Sequence, residues 1–289
     1  MLEQIYIARH GFRLSWLTNN WTTPTKLARD PPLAAYGLEQ AARLGTHMAS
    51  PPDGLPVPEL LFSSPFYRCV QTSLPVAQAL GVPIRLEHGL GEWYSRIPET
   101  PPYNLHPRPS GPRELSQHFP ADSICLDYDS TYYPSRKGES LSDLLDRASK
   151  FLIAFLNRIE VEFPSVKSIV LVGHAASVIA LGRALVGDPS LEIVAGCASF
   201  CRYKLKKGNK GTVGDYDIAQ NGEAGYLEKG VERNWTFADV VLNTDGEVIA
   251  DPGVPGTSDQ KDYPCGIAPG KEHYLMSLSS GSSLVSSAL

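Results

Sequence analysis

Arg9, His10, Gly11 and Arg13 stand directly after Ile5-Tyr6-Ile7-Ala8, an apolar run that reads as a buried strand. A neutral imidazole is a good nucleophile toward phosphorus. A guanidinium beside it binds phosphoryl oxygens bidentately and disfavours the imidazolium form. Gly11 lets the backbone come close to a ligand. Taken alone, Arg-His-Gly is matched equally well by a surface turn with incidental charges, so the chemistry depends on what else reaches the same place.

Three other stretches carry suitable groups. In SSPFYRCVQTS (63–73), Ser64 suits a helix N-cap and Pro65 the first helical position. Arg68 then lies one turn inside, on the face of Ser64, near an N-terminus that attracts anions. By itself it would pass for a solvated helix charge. In LVGHAAS (171–177), His174 ends an apolar strand and opens a helix. A lone histidine there is more often structural, but with His10 at another strand end it becomes a candidate phosphate ligand. In HGLGEWY (88–94), Glu92 sits beside Trp93 and Tyr94. Aromatic neighbours raise a carboxyl pKa and favour a general acid. Glu87, Glu139 and Asp129 compete for that role.

These groups need a frame. Candidate strands are 4–8, 59–63, 83–87, 168–173, 199–205 and 237–242, several of them continuous apolar runs of the kind buried on both faces. Helical spacing appears at 34–48, 65–80, 140–163 and 175–185. Ser140 and Asp143 form a capping-box pattern, Gly81 is a stop signal, and Pro75 is expected to kink or split its helix. Alternating strands and helices predict an α/β domain with a mostly parallel sheet and helices on both faces. Such sheets place their sites at the carboxyl ends of strands, which is where His10, Ser64 and His174 fall. Residues 95–138, rich in Pro and aromatics, predict a lid insertion over those ends. The turn-rich and Ser-rich residues 246–289 predict a tail, disordered over its last dozen residues, after a domain covering 1–245.

Composition removes several classes. The net charge of −5 supplies no basic field for direct nucleic-acid binding. The five cysteines are scattered, and ligand spacing suggests no metal. No apolar run approaches the ~20 residues that span a bilayer. MLEQIYIA has no basic segment followed by a long apolar one, so the expectation is an intracellular protein of cytoplasm or nucleus.

With these residues in order, the chain resembles the histidine phosphatase superfamily, which includes the phosphoglycerate mutases. IYIARHG resembles its nucleophile strand and PLAAYGLEQAARLG (32–45) its helix motif. SSPFYRCVQTS resembles the second-arginine segment, KGESLSD (137–143) the Gly-Glu-Ser helix start, and LVGHAAS the second-histidine segment. The resemblance implies a phosphoglycerate mutase-like three-layer α/β/α sandwich. It implies that His10 is the nucleophile, that Arg9, Arg68 and His174 bind phosphate, that Arg13 is an additional arginine and that Glu92 is the general acid. It requires no metal and no cofactor. Ala175 follows the second histidine where the acid-phosphatase and phytase branch has aspartate, which disfavours that branch. RHGFRLSW, GLGEWYSR, DSTYYP and NWTF (234–237) further resemble the phosphatase domains of the fungal transcription factor IIIC tau fifty-five-kilodalton subunit and its free-standing relatives.

Three functions follow from the resemblance. The first is metal-independent hydrolysis of phosphomonoesters through a phosphohistidine, with phosphotyrosine, phosphopeptide or aryl phosphate as substrate. Trp93, Tyr94, Tyr103, Tyr132 and Tyr133 could then line an aromatic mouth or simply fold the lid. The second is a scaffold subunit that contacts other transcription factor IIIC subunits. The third is a phosphoglycerate mutase, which ranks last because the mutase Glu-Arg-His-Tyr signature is missing.

Overall fold

The computed structural model describes residues 1–97, 104–240 and 261–276. Along the chain run β1 (Gln4–Arg9), α1 (Ala35–Ala49), β2 (Leu60–Ser63), α2 (Tyr67–Leu80), β3 (Ile84–Leu86) and α3 (Pro112–Leu115). They are followed by β4 (Tyr132–Tyr133), α4 (Leu141–Glu162), β5 (Ser168–Gly173), α5 (Ala175–Val186), β6 (Phe200–Leu205), β7 (Tyr216–Glu223) and β8 (Gly266–Ile267).

Six strands form one sheet in the order β3-β2-β5-β1-β6-β7. The first four are parallel, β6 is antiparallel to β1, and β7 is antiparallel to β6. Side chains alternate across a strand, so β1 divides its apolar residues between two cores. Ile5 and Ile7 pack with α4 and α5, while Tyr6 and Ala8 pack with α1 and α2. This is the expected sandwich, and the continuous apolar runs in β1 and β5 follow from burial on both faces.

Helix ends follow local chemistry. Ser140 accepts from the Asp143 N–H while Asp143 accepts from the Ser140 N–H, the predicted capping box on α4. Helix α2 ends on Gly81 in the left-handed region at φ 68°. It begins later than predicted, with Phe66 rather than Ser64 at its N-cap, and it runs through Pro75 unbroken. The 237–242 strand does not form over its described part. Phe237–Asp239 is a 3₁₀ turn capped by Thr236 and Asp239, and residues 241–242 lie outside the described residues.

The insertion between β3 and α4 is folded onto the domain. Ile84 N–H donates to Ser123, and Cys125 N–H donates to Ile84, which extends the sheet edge. Strand β4 pairs with β8, so residues 266–267 join the insertion. Tyr274 is buried near the end of α4, where its hydroxyl donates to Glu162 and its carbonyl accepts from Asn157. The expected disordered final residues lie outside the described residues.

Helices α1 and α2 cross closely because Gly45 has no side chain. A Cβ there would sit 2.6 Å from the Pro75 carbonyl oxygen, which is backbone and cannot rotate away. Gly45→Ala is therefore expected to destabilise the fold by about 1–3 kcal/mol. A urea titration would show it as a lower midpoint with an unchanged slope.

Candidate functional site

The parallel register brings the carboxyl ends of β1, β2 and β5 side by side. His10 N–H donates to the Gly173 carbonyl at 3.0 Å, and Ser64 N–H donates to Val172 at 2.8 Å. The predicted strand-end residues His10, Ser64 and His174 thus meet at one edge. The imidazoles of His10 and His174 lie 5.5 Å apart, centroid to centroid.

His10 is buried, and its Nδ1 lies 2.8 Å from the Gly11 carbonyl oxygen. A carbonyl only accepts, so Nδ1 carries the hydrogen and the lone pair is on Nε2. Burial, then the charges of Arg68 and Arg9, push the His10 pKa well below its usual value. The ring is neutral at pH 7, the form a nucleophile needs. Gly11 N–H donates to Thr72 on α2, and Phe12 N–H donates to Gln40 on α1. Gly37 explains part of the α1 motif: a Cβ there would meet the Phe12 carbonyl oxygen at 2.1 Å. The loop after His10 therefore rests directly on helix backbone.

Arg68 is at the centre, with 1% of its surface exposed. Nη1 donates to Asp30 at 2.9 Å, and Nη2 lies 3.0 Å from both Glu92 Oε2 and His174 Nδ1. Burial alone would loosen its proton, but Asp30 and Glu92 raise its pKa above normal. Glu92 Oε2 also lies 3.2 Å from His174 Nδ1. Burial alone would raise the Glu92 carboxyl, yet His174 and Arg68 hold it well below the usual carboxylate range. This corrects the expectation of a carboxyl raised by aromatic neighbours. Trp93 turns away to donate to the Glu139 carbonyl, and the cations decide the charge. Burial lowers His174 to about 4, so it too is neutral at pH 7. Its Nε2 is 2.9 Å from the Ser64 hydroxyl, which serves this ring instead of capping α2. From α5, Ser177 donates to the Gly91 carbonyl at 2.6 Å and fixes the loop carrying Glu92.

Arg9 is held by two backbone carbonyls, Ala195 at 2.6 Å and Arg233 at 2.5 Å. Arg13 is half-buried with its guanidinium carbon 4.7 Å from the Trp16 ring centre. The fold thus gathers His10, Arg9, Arg68, His174, Glu92 and Arg13. Two of the three competing carboxylates are engaged elsewhere, and Asp129 is exposed. Glu87 is fully buried and accepts from Gly89, Tyr128, Thr131 and Tyr132, and Glu139 pairs with Arg147. The proposed mouth aromatics also divide. Tyr94 stacks on His106, Tyr132 packs on Phe151, and Tyr133 lies against His88. Trp93 packs on Trp235 and Phe237, and Tyr103 lies outside the described residues. The ring beside His10 is Trp16, at 6.3 Å.

Two contributors escaped the sequence reading. Asp30 is fully buried and also accepts from the Tyr67 N–H at 2.7 Å, yet it lies in a loop with no motif of its own. The 232–234 segment supplies a carbonyl to Arg9, and Glu232 takes hydrogen bonds from Tyr36 and Gln40. Nothing in the spacing of the sequence signals Asp30, which is brought to Arg68 by the fold.

Comparisons with known proteins bear on the family and the fold. The family model described as the histidine phosphatase superfamily (branch 1) matches residues 5–210. The Transcription factor tau 55 kDa subunit of Saccharomyces cerevisiae is 37% identical over 264 residues, covering 82% of this chain and 59% of that subunit. The chain therefore spans little more than half the length of that relative. Ecdysone phosphate phosphatase from Bombix mori, in complex with tungstate, superposes with a TM-score of 0.57 at 18% identity, covering 76% of this chain and 93% of that one. A mycobacterial glucosyl-3-phosphoglycerate phosphatase with inorganic phosphate gives 0.50 at 17%, covering 78% and 100%. At such identities the two structures speak to the fold.

Two measurements follow from the site. Asp30→Asn removes the fully buried one of Arg68's two counter-charges and is expected to cost about 3 kcal/mol in denaturant unfolding, the low end for breaking a buried pair. His10, His174 and His88 have folded-state pKa values below the unfolded value, the last two near 4. Between pH 6.5 and 4 the unfolded chain therefore binds more protons. Stability should be flat above pH 6.5 and fall on acidification, by about 1.4 kcal/mol per pH unit for each imidazole. The depressed Glu92 adds a further loss only at lower pH. Urea midpoints at pH 7.5, 6.5 and 5.5 read the trend, and a rise on acidification would contradict it.

Proposed function

The chain belongs to the histidine phosphatase superfamily, and from that premise we propose that it hydrolyses phosphomonoesters through a phosphohistidine on His10. The observation that carries the reading is the His10 ring itself. It is held neutral and fixed by Gly11, with Nε2 bearing the lone pair, beside a buried guanidinium and a second neutral imidazole.

The reaction divides among the residues as follows. Glu92 sits on Arg68 Nη2 and His174 Nδ1, the donors a phosphoryl group would use. An arriving phosphate dianion takes these donors and frees the carboxylate. Losing its cations and facing a dianion, Glu92 gains proton affinity and becomes competent as an acid. His10 Nε2 attacks phosphorus in line, the bond to the leaving oxygen breaks, and Glu92 delivers the proton to that oxygen. Arg9, Arg13 and Arg68 offset charge on the equatorial oxygens. Water then attacks phospho-His10, Glu92 takes its proton, and inorganic phosphate leaves. Nδ1 keeps its hydrogen on Gly11 throughout. Aryl phosphates and phosphotyrosine peptides are the proposed substrate class, with Trp16 as the aromatic contact beside His10.

The tau 55 kDa relative favours a second reading, a scaffold that meets other transcription factor subunits in the nucleus. A mutase role is less supported. Among the lid arginines, Arg96 pairs with Asp143, Arg108 donates to Pro134, and Arg136 donates to His106 and Lys261.

Steady-state hydrolysis of 4-nitrophenyl phosphate tests the choice. Turnover should be abolished in His10→Ala. Wild-type turnover no greater than that of the variant, from folded protein, would favour the scaffold. Glu92→Gln should slow hydrolysis of alkyl phosphates by roughly 10²–10⁴-fold, the usual worth of a positioned acid. It should affect 4-nitrophenyl phosphate much less, because that leaving group departs without a proton.

A further inference from the structure

Arg233 is assigned no role by the reaction above. It is exposed, at a backbone φ of 51° unusual for a non-glycine residue. Neighbouring contacts hold it there. Its carbonyl accepts from Arg9, the Glu232 carbonyl accepts from Cys197 N–H, and Asn234 Oδ1 accepts from Ala195 N–H. Its guanidinium carbon lies 5.1 Å from the Trp16 ring centre and 5.5 Å from that of Phe12. Arg13 approaches the same indole at 4.7 Å, and the indole is 6.3 Å from the His10 ring.

The charges at this mouth do not balance. Arg68 has two carboxylates, Asp30 and Glu92. Arg9, Arg13 and Arg233 have none within ion-pair distance among the described residues, and Arg13 Nε is buried with no hydrogen-bond partner. Once Glu92 is protonated, as in the proposed reaction, the four guanidiniums with Asp30 keep three positive charges, and a phosphomonoester dianion offsets two of them. Cations held together without counter-ions repel one another, which a structure tolerates where a ligand supplies the missing charge.

We propose that Arg233, beside Arg13 over the Trp16 indole, forms a second anion subsite, so that preferred phosphomonoesters carry another anionic group close to the scissile phosphate. This rests on the phosphatase reading and narrows its substrate class. The second anion is either a carboxylate on the leaving group itself or an acidic residue flanking a phosphorylated residue in a peptide.

Non-hydrolysable phosphonates test this without turnover. Calorimetry on the full chain would compare benzylphosphonate with its ring-carboxylated analogue. It would also compare phosphonomethyl-phenylalanine peptides flanked by glutamate or by alanine. The acidic member of at least one pair should bind about five- to tenfold more tightly, the worth of one good ion pair. Arg233→Asn, which tolerates positive φ, should lose that advantage, and Arg233→Lys should keep most of it. A gain in the small pair places the anion on the leaving group, and a gain confined to peptides places it on a neighbouring residue. Equal affinities within both pairs, or an advantage that survives Arg233→Asn, would overturn the subsite. If 4-nitrophenyl phosphate is still hydrolysed in a His10-dependent way, only the subsite falls. No binding of any phosphonate together with no turnover overturns both readings.

Discussion

A guanidinium with 1% of its surface exposed cannot stand without counter-charge, and the burial of Arg68 governs this end of the molecule. Its donors fix what must surround it. Asp30 takes one nitrogen and Glu92 the other, and the His174 ring, whose Nδ1 donates to Glu92, lies against that second nitrogen. Those three partners come from the loop before α1, the loop after β3 and the end of β5. Satisfying one side chain therefore closes four separated parts of the chain around a common point. Ser64, Thr72 and Ser177 add neutral hydrogen bonds that hold the partners in place.

The same burial sets the protonation states. Desolvation and neighbouring guanidiniums keep both imidazoles neutral, and the cations keep Glu92 ionised. Glu92 occupies donors suited to an oxyanion, so the pocket holds an internal anion. In the proposed reaction a phosphoryl group would take its place on Arg68 and raise the proton affinity of the displaced carboxylate, so that binding and acid activation would be two aspects of one exchange.

Much of the frame was legible because it is redundant. β1 and β5 are apolar at every core position, α4 carries a capping box, and the strand-end histidines follow those strands without a gap. β7 was missed because Tyr216–Glu223 is an edge strand that alternates buried with exposed positions and contains Gln220, Asn221 and Gly222, residues with low strand preference. The 237–242 run looked like a strand by composition. Thr236 and Asp239 instead close a turn there, a local capping choice that outweighs apolar content. The direction of the Glu92 shift was misread because its sequence neighbours are aromatic while its neighbours in space are cations. Asp30 and Arg233 act through tertiary contacts alone, which no spacing rule encodes.

The ties on Arg9 bear on where this folding unit can be cut. The matched family pattern ends at residue 210, but one of the two carbonyls holding Arg9 belongs to residue 233. A fragment trimmed to the pattern would retain β1, both histidines and Arg68. It would lose half the support of Arg9. During synthesis the pocket is likewise unfinished until that late segment has emerged and docked. The complete setting of Arg9 extends to residues 233 and 234, so the end of β1 reaches its final surroundings among the last.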